Sequence, residues 1–331
     1  MTSRERIRTI ISGRAADRCG FWMGSPHADT WPIYHRYFGT RSEEELRLKL
    51  GDDLRWLGVW EYKEPRGFFP IPHKVSHGDP GPLAECTDIK RVEGYDWPKP
   101  RLVNFEPALQ RLRDAGPFYR ASGLWTCFYH DIMDLFGMEY YMTAMYEYPK
   151  VVQAVTDRVC QFYYDANELF FTQAGDLADA FFFGNDFGTQ LDTICSPAHF
   201  DEFVMPWFRR FTEQAHRHGR QAILHSCGSI HRMLPRLIDA NVNCLHPLQA
   251  KARNMDADTL ARDFKGKIAF LGGVDTQDLL VNGTPQQVKE DVRRIKKLLG
   301  PCLIVSPSHE ALLPNVPPQN VAAMAEAALE G

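Results

Sequence analysis

The chain has 331 residues, of which 44% are hydrophobic and 24% charged, and its formal net charge is −4. Charges of both signs are interspersed along the chain, which argues against a polybasic nucleic-acid surface and against a membrane-binding stripe. A composition of this kind is typical of a globular protein that acts on a small-molecule substrate.

The N-terminal segment MTSRERIRTIISGRAADRCGFW lacks the long apolar stretch of a signal peptide, and no later run reaches the length of a spanning helix. The 8 cysteines are scattered without a CxxC pair. In a chain with enough apolar residues for a large core, this pattern indicates reduced thiols. We therefore expect a cytoplasmic protein.

Eight short apolar runs are candidates for parallel strands, because most of them precede a helical pattern. They are residues 20–24, 54–60, 118–123, 178–186, 221–226, 242–247, 267–273 and 302–306. The Pro- and Gly-rich segment 63–83 cannot hold a regular helix, and we expect it to wrap a rim of the site. Residues 127–173 are predicted to be helical throughout and to form an insertion after the third strand.

Helices are predicted after each of the later strands, with prolines at three of their first turns, where the missing N–H costs nothing. They span residues 197–218, 230–240, 256–264, 285–299 and 317–329. Eight strands in this alternation predict an α/β fold, a single (β/α)8 TIM barrel. We expect one domain over residues 1–331, with a helical insertion after the third strand and an elaborated N-terminal region.

The reacting groups of such a barrel lie where strands end at its C-terminal face. His225 and Cys227 stand two apart at one strand end, so they point the same way, and both are good zinc ligands. His309 follows the last strand and would be the third ligand, with Asp186 or a water as the fourth. The strand that follows the strand of His225 along the chain ends on a further polar residue, His246. The alternative is that Cys227 only packs and His225 is a hydrogen-bonded core histidine.

Three residues are candidate acids or bases. Asp186 follows a strongly apolar strand, so its carboxylate must pair, bind a cation or lie partly desolvated, unless it caps a turn. His309 lies in a loop that the Pro-rich run after it fixes. Tyr129, in GLWTCFYHD, could reach the mouth from the insertion together with His130, although aromatic residues there could pack in the core.

The strand ends also offer candidate substrate-binding side chains. Met23 and Trp60 would give the pocket an apolar lining. Gln190, Gln249 and Asp275 would contribute polar groups. Asp275 follows a double glycine and could instead cap the turn that this glycine pair permits.

Four segments in family order resemble the uroporphyrinogen decarboxylase superfamily. They are DFGTQLDTICSPAHFDEF, ILHSCGSIHRMLPRLIDANVNCLHPLQ, IAFLGGVDTQDLLVNGTPQQV and VSPSHEALLPNVPPQNVAAM. The superfamily includes uroporphyrinogen decarboxylase and corrinoid-linked methyltransferases. The resemblance implies a single (β/α)8 barrel with its site at the C-terminal mouth.

The methyltransferase branch carries an HxC motif followed by a zinc-binding cysteine in an SPGC-like turn. Here His225 and Cys227 fit the motif, and SPSH places His309 where that cysteine would be. The resemblance therefore implies zinc held by His225, Cys227 and His309, and a corrinoid carried by a partner protein. We expect metal-assisted methyl transfer of the corrinoid-linked methyltransferase or demethylase type.

Two alternatives remain. One is uroporphyrinogen III decarboxylase, which needs no cofactor: His309 matches the histidine of its late GHG-type motif, and Asp52 or Asp53 could stand for its pyrrole-binding aspartate. Its arginine-rich RQAGRY-type segment is absent here, although a substrate with many carboxylates needs several cations. The other alternative is a non-catalytic ligand-binding barrel that retains only the fold.

Overall fold

Eight parallel strands form the centre of the fold in the computed structural model, which describes residues 1–65, 67–69 and 76–331. The strands are β1 (Gly20–Phe21), β2 (Leu54–Trp56), β3 (Tyr119–Ser122), β4 (Ala180–Gly184), β5 (Gln221–His225), β6 (Cys244–His246), β7 (Ala269–Val274) and β8 (Leu303–Pro307). Their order, β1-β8-β7-β6-β5-β4-β3-β2, is that of a nearly closed β/α barrel. The predicted fold class is confirmed, and each predicted strand overlaps an observed one.

Strands β1 and β2 form no regular ladder among the described residues. Two consecutive aspartates, Asp52 and Asp53, join these strands instead. The backbone N–H of Asp53 donates to the Phe21 carbonyl at 2.9 Å, and the Asp53 carboxylate accepts the Phe21 N–H at 3.1 Å. The Asp52 carboxylate accepts the Met23 N–H at 3.2 Å. Side-chain oxygens thus replace part of the missing ladder.

Both aspartates are fully buried and paired with arginines. Asp53 lies 2.7 Å from Arg6 and 2.8 Å from Arg18, and Asp52 lies 2.7 Å from Arg47. Because both carboxylates are buried and engaged by arginines and by backbone N–H groups, neither is free to polarise a pyrrole ring. The sequence suggestion that one of them stands for a pyrrole-binding aspartate is therefore wrong for this fold.

Helices surround the sheet. They are α1 (Ser3–Ile11), α2 (Trp31–Phe38), α3 (Glu43–Leu50), α4 (Ile89–Glu93), α5 (Glu106–Asp114), α6 (Phe128–Phe136), α7 (Met138–Glu147), α8 (Pro149–Ala174), α9 (Pro197–His199), α10 (Met205–Arg217), α11 (Leu234–Asp239), α12 (Ala257–Phe264), α13 (Leu279–Asn282), α14 (Pro285–Leu299) and α15 (Pro318–Leu329). Short 3-10 turns occur at Pro100–Leu102 and Gly175–Leu177. The insertion predicted after β3 consists of α6 and α7, which precede the long crossover helix α8.

Local chemistry explains where several helices begin and break. α14 begins as predicted, with Thr284 and Gln287 forming a capping box around Pro285. The predicted helix 197–218 is instead α9, a π turn at Phe200–Val204 and α10. Pro206, at the start of α10, has no N–H for the regular α-helical bond, so the chain changes its winding there.

Two other predicted helices are shorter or broken. α11 begins at Leu234, four residues after the predicted start. The predicted continuous helix 127–173 is interrupted at Gly137, whose φ of 84° lies in the left-handed region, and again before Pro149. Glycine tolerates that conformation, and proline suits a first turn, so both residues favour these breaks.

The N-terminal end of the barrel is filled by α1. Its Ile7 and Ile10 are fully buried in one cluster with the inward-facing Leu54 and Tyr119. Burial of these side chains removes apolar surface from water and seals this end. The opposite end, where the strands finish, is therefore the end available for a site.

The rim segment predicted at 63–83 lies partly outside the described residues, since 66 and 70–75 are not described. In its described part, the Leu83 N–H donates to the Leu135 carbonyl at 2.8 Å, and the His77 carbonyl accepts the Met138 N–H at 2.8 Å. This part therefore packs against the end of α6. Among the described residues, the helices are all too short or too polar to cross a membrane.

Candidate metal centre

Three potential metal ligands meet where β4 and β5 end. His225 is the last residue of β5, Cys227 follows it closely, and Asp186 lies just after β4. His225 Nε2 is 3.3 Å from Asp186 Oδ1 and 3.4 Å from Cys227 Sγ. The Cys227 backbone N–H donates to the same Asp186 oxygen at 2.7 Å, which fixes the carboxylate. In this Asp186–His225–Cys227 group the ligand atoms lie within 4.8 Å of one another.

The other ring nitrogen of His225 is also engaged. His225 and His246 are paired residues of neighbouring strands, and their Nδ1 atoms lie 2.9 Å apart. Glu310 Oε2 lies 3.5 Å from the same His225 Nδ1. His225, His246 and Glu310 form a second set of ligand atoms within 4.8 Å. The ring of His225 is therefore held from both sides.

The charges of the site depend strongly on these contacts. Burial disfavours a charged His225, but its contacts with Asp186, Cys227 and Glu310 raise its pKa well above the usual value. Although burial opposes it, the His225 and Cys227 hydrogen bonds hold the pKa of Asp186 well below its usual value. Without a metal, a proton on His225 Nε2 therefore occupies the place between Asp186 and Cys227 that a cation could take.

His309 lies beside the group but is held differently. Its ring meets the His225 ring edge-on, with centroids 6.4 Å apart. Its Nδ1 accepts the Ala311 backbone N–H at 3.1 Å. In a neutral imidazole an accepting Nδ1 leaves the proton on Nε2. This arrangement makes His309 a hydrogen-bond donor, and Glu310, its neighbour in sequence, reaches the ligand atoms instead.

A wall of tryptophans borders the group on the β2–β3 side. The ring centroid of Trp125 is 5.2 Å from that of His225 and 6.3 Å from that of Trp60. Trp60 is about half exposed at the mouth. A Cβ on Gly184 would come within 2.1 Å of the Trp125 ring, so this glycine makes the space for it. Met23 is instead fully buried in the core.

The two predicted glutamines meet each other. Gln249 Oε1 accepts a hydrogen bond from Gln190 Nε2 at 2.9 Å and another from the Gly228 backbone N–H at 2.8 Å. Because Gly228 follows Cys227 directly, Gln249 fixes the turn that carries the thiol. Both glutamines thus lie at the mouth, where the sequence places them.

Tyr129 and Asp275 have mainly structural contacts. The Tyr129 ring packs 5.5 Å from Phe187, and its buried hydroxyl has no hydrogen-bond partner among the described residues. Its neighbour His130 instead approaches the site, with Nε2 4.0 Å from Asp186 Oδ2. Asp275 Oδ1 accepts the Gln277 N–H at 2.9 Å, as a turn cap does.

Glu310 is a site residue that the sequence pattern does not indicate. Its one signal is an acidic side chain directly after His309 in the last strand-end loop. Which of two consecutive loop residues faces the mouth depends on loop torsions that apolar periodicity does not reveal.

The donor set fits a zinc ion. It combines an imidazole nitrogen, a thiol sulfur and a carboxylate oxygen, the ligand types that zinc prefers, and leaves a position open. Buried Glu310 Oε2 has no hydrogen-bond partner among the described residues. A carboxylate near the second nitrogen of a ligating histidine is a common companion of zinc sites, and Glu310 occupies that place.

Comparisons with known proteins agree with this fold. Residues 85–330 match the uroporphyrinogen decarboxylase (URO-D) family. The fold is similar to that of a methyltransferase from Methanosarcina mazei, with 16% sequence identity, a TM-score of 0.70 and coverage of 99% of this chain and 98% of that chain. None of the curated proteins matches the chain. Because the family match spans most of the chain, including β3 to β8 and all the residues of the candidate metal centre, the resemblance is confirmed and the chain belongs to the uroporphyrinogen decarboxylase family.

Proposed function

We propose that this protein is a metal-assisted methyl-transfer enzyme, of the corrinoid-linked methyltransferase or demethylase type. The observation that carries the proposal is the Asp186–His225–Cys227 group at the open end of the barrel. Family membership and the similarity of the fold to a methyltransferase support it.

Asp186, His225 and Cys227 would hold the ion. When bound, zinc supplies a positive charge that lowers the pKa of a coordinated thiol or hydroxyl, so that a nucleophile forms near neutral pH. His225 must give up its Nε2 proton to act as a ligand. His246 and Glu310, both within reach of Nδ1, then hold the remaining proton on that nitrogen and orient the ring.

Other residues of the mouth would act on the substrate directly. His309 donates a hydrogen bond from Nε2–H to a substrate oxygen beside the group, which orients that oxygen for the reaction. Trp125 excludes water on one side of His225, and Gln249 keeps the Cys227 turn in place. These residues bind the substrate, orient it and shield the site from water.

We further propose that the methyl group is exchanged with a corrinoid carried by a partner protein. Three large apolar side chains are about half exposed or more in the loops after β2, β4 and β8, namely Trp60 at 49%, Leu191 at 63% and Leu313 at 50%. These loops follow strand ends at the open end of the barrel, so a partner protein that covers the mouth would contact these side chains.

Elemental analysis tests the metal centre. We expect about one zinc ion per chain in protein purified without added metal or chelator. His225→Ala and Cys227→Ser should lose it, whereas Cys195→Ser, another partly exposed cysteine, should keep it. Circular dichroism confirms that each variant is folded. Wild-type protein without metal would contradict the proposal.

An activity measurement tests methyl transfer itself. We expect the zinc-loaded protein to demethylate free methylcobalamin in the presence of a small thiol, with an absorbance change that the Cys227→Ser variant does not give. Full activity after complete removal of metal would overturn the metal-assisted mechanism. Formation of coproporphyrinogen from uroporphyrinogen III would instead establish the decarboxylase, and an unaltered cellular role in the His225→Ala variant would favour a ligand-binding barrel.

A further inference from the structure

A cavity of about 410 Å³ opens between the loops that follow β6, β7 and β8. Its wall includes Gln249, Thr276, Ser308 and His309, and we call it the His309 cavity. His309 connects it to the candidate metal centre, since the same ring meets His225 edge-on. A volume of this size is typical of a site for one small molecule.

The best-defined polar groups of the His309 cavity are hydrogen-bond donors. Gln249 Oε1 already accepts two bonds, from Gln190 and from Gly228, so the amide NH2 is what Gln249 offers a ligand. His309 Nδ1 already accepts the Ala311 N–H, so His309 offers Nε2–H. A ligand that satisfies these donors must bring oxygen or nitrogen acceptors.

The cavity carries no net positive charge. Lys251 is the one formally charged side chain among the described lining residues. Its Nζ lies 3.3 Å from Asp275 Oδ2 and 3.8 Å from Asp278 Oδ2. Both carboxylates pair with the single ammonium, so Lys251 offers a carboxylate or phosphate ligand little net attraction. The donors of the cavity therefore suit an uncharged acceptor.

One side of the cavity is apolar. Val281, Ala311, Leu313 and Val316 line it, and Leu313 is half exposed. Apolar side chains on one wall and fixed donors on another recognise a molecule with an apolar body and a polar edge.

We infer that the His309 cavity binds a small uncharged molecule with an apolar body and an edge of ether or hydroxyl oxygens. That this molecule is the methyl donor or acceptor rests on the proposed function, whereas its binding does not. The ligand's oxygen lies against His309, which places it next to the Asp186–His225–Cys227 group.

A matched pair of probes tests the inference. 2-Phenoxyethanol is uncharged and carries an ether and a hydroxyl oxygen, and phenoxyacetate has nearly the same shape with a negative charge. Calorimetric titration of the full chain should show binding of 2-phenoxyethanol and at least about tenfold weaker binding of phenoxyacetate, a difference of about 1.4 kcal/mol. The measurement requires neither added metal nor a corrinoid.

Variants locate the binding site and test the role of charge. His309→Phe keeps a ring but removes the donor, and should weaken 2-phenoxyethanol binding about tenfold, the effect of one lost hydrogen bond. His199→Phe, on α9 outside the cavity, should leave it unchanged. Asp278→Asn removes one of the two carboxylates that pair with Lys251. It should therefore tighten the binding of phenoxyacetate and leave the binding of 2-phenoxyethanol unchanged.

Several results would overturn the inference: no binding of 2-phenoxyethanol, equal or tighter binding of phenoxyacetate by the wild type, or His309→Phe binding unchanged. These outcomes are separate from those of the metal analysis. A zinc-containing protein that binds neither probe would retain the proposed function and lose this inference. A metal-free protein that binds 2-phenoxyethanol at His309 would do the reverse.

Discussion

The Nδ1 atoms of His225 and His246 lie 2.9 Å apart, so one ring must donate the proton that the other accepts. Burial, together with the charge of His225, holds the pKa of His246 well below its usual value, so His246 is neutral and able to accept. A His225 ring that ligates through Nε2 has its remaining proton on Nδ1, facing His246. The pair therefore determines which nitrogen of His225 faces Asp186 and Cys227.

Glu310 strengthens this arrangement, and Glu310→Gln should weaken zinc binding. Its Oε2 lies 3.5 Å from the same His225 Nδ1. A carboxylate there makes the ligating nitrogen more basic, and loss of such a partner typically lowers metal affinity by about 10- to 100-fold. Competition with a chromogenic chelator measures the affinity directly, without any assay of catalysis.

The control is Glu326→Gln on α15, where the carboxylate is exposed and pairs with Lys289. We expect its zinc affinity to equal that of the wild type. If Glu310→Gln also equals the wild type while Cys227→Ser loses the metal, Glu310 does not orient His225.

Closure of the barrel should depend on Asp53. Its buried carboxylate pairs with Arg6 and Arg18 and accepts the Phe21 N–H. Asp53→Asn leaves part-buried Arg18 without its carboxylate partner and buried Arg6 with only the exposed Asp17, which should lower the free energy of unfolding by about 3 kcal/mol. Urea unfolding followed by circular dichroism measures the change.

Asp17→Asn is the matched control, because Asp17 pairs with the same Arg6 but is 41% exposed. Exposed ion pairs contribute at most about 1 kcal/mol, so the free energy of unfolding should fall only slightly. Equal effects of the two substitutions would show that the buried pair does not hold β1 to β2.

The sequence predicts the barrel, and it places two of its three candidate ligands, His225 and Cys227, beside Asp186 for a physical reason. Apolar runs identify the strands, and side chains at the ends of parallel strands must meet at the same face. Asp186, His225 and Cys227 lie directly at such ends, so their proximity follows from the strand assignment alone.

Residues farther into loops or beside helix starts are less predictable. Glu310 rather than His309 reaches His225, and His130 rather than Tyr129 approaches Asp186. In both cases the two candidates are consecutive, and which of them faces the mouth depends on the loop torsions after β8 or on the residue at which α6 begins, neither of which apolar periodicity reveals. The roles of His309 and Tyr129 in catalysis stay predictions.

Gly184 should be essential for the tryptophan wall. A Cβ there would lie 2.1 Å from the Trp125 ring, which in turn lies 5.2 Å from that of His225. Gly184→Ala must therefore displace Trp125, at a cost of about 1–3 kcal/mol in the free energy of unfolding. Near-ultraviolet circular dichroism and zinc affinity should both change. Gly94→Ala, whose nearest contact is an ordinary 3.4 Å, should change neither, and an unaltered Gly184→Ala spectrum would contradict the argument.

The stability of the protein should fall as pH rises from about 4 to about 7, because of Asp131 on α6. Burial raises the pKa of this carboxyl from 3.8 to about 7, although a hydrogen bond from Tyr163 at 2.7 Å opposes the shift. Between these values the folded protein binds a proton that the unfolded chain has released, so the contribution of Asp131 is greatest below about pH 4 and is lost by about pH 7.

Asp131→Asn removes this titration and keeps an acceptor for Tyr163. We expect the free energy of unfolding of the variant to be close to that of the wild type at pH 4. Above pH 7 it should be higher than that of the wild type by a few kcal/mol, since each pKa unit is worth about 1.4 kcal/mol. Urea unfolding at a series of pH values measures both curves. Asp165→Asn on α8, where Gln161 contacts an exposed carboxylate, should follow the wild-type curve. A constant difference between Asp131→Asn and the wild type at every pH would mean that Asp131 does not titrate in this range.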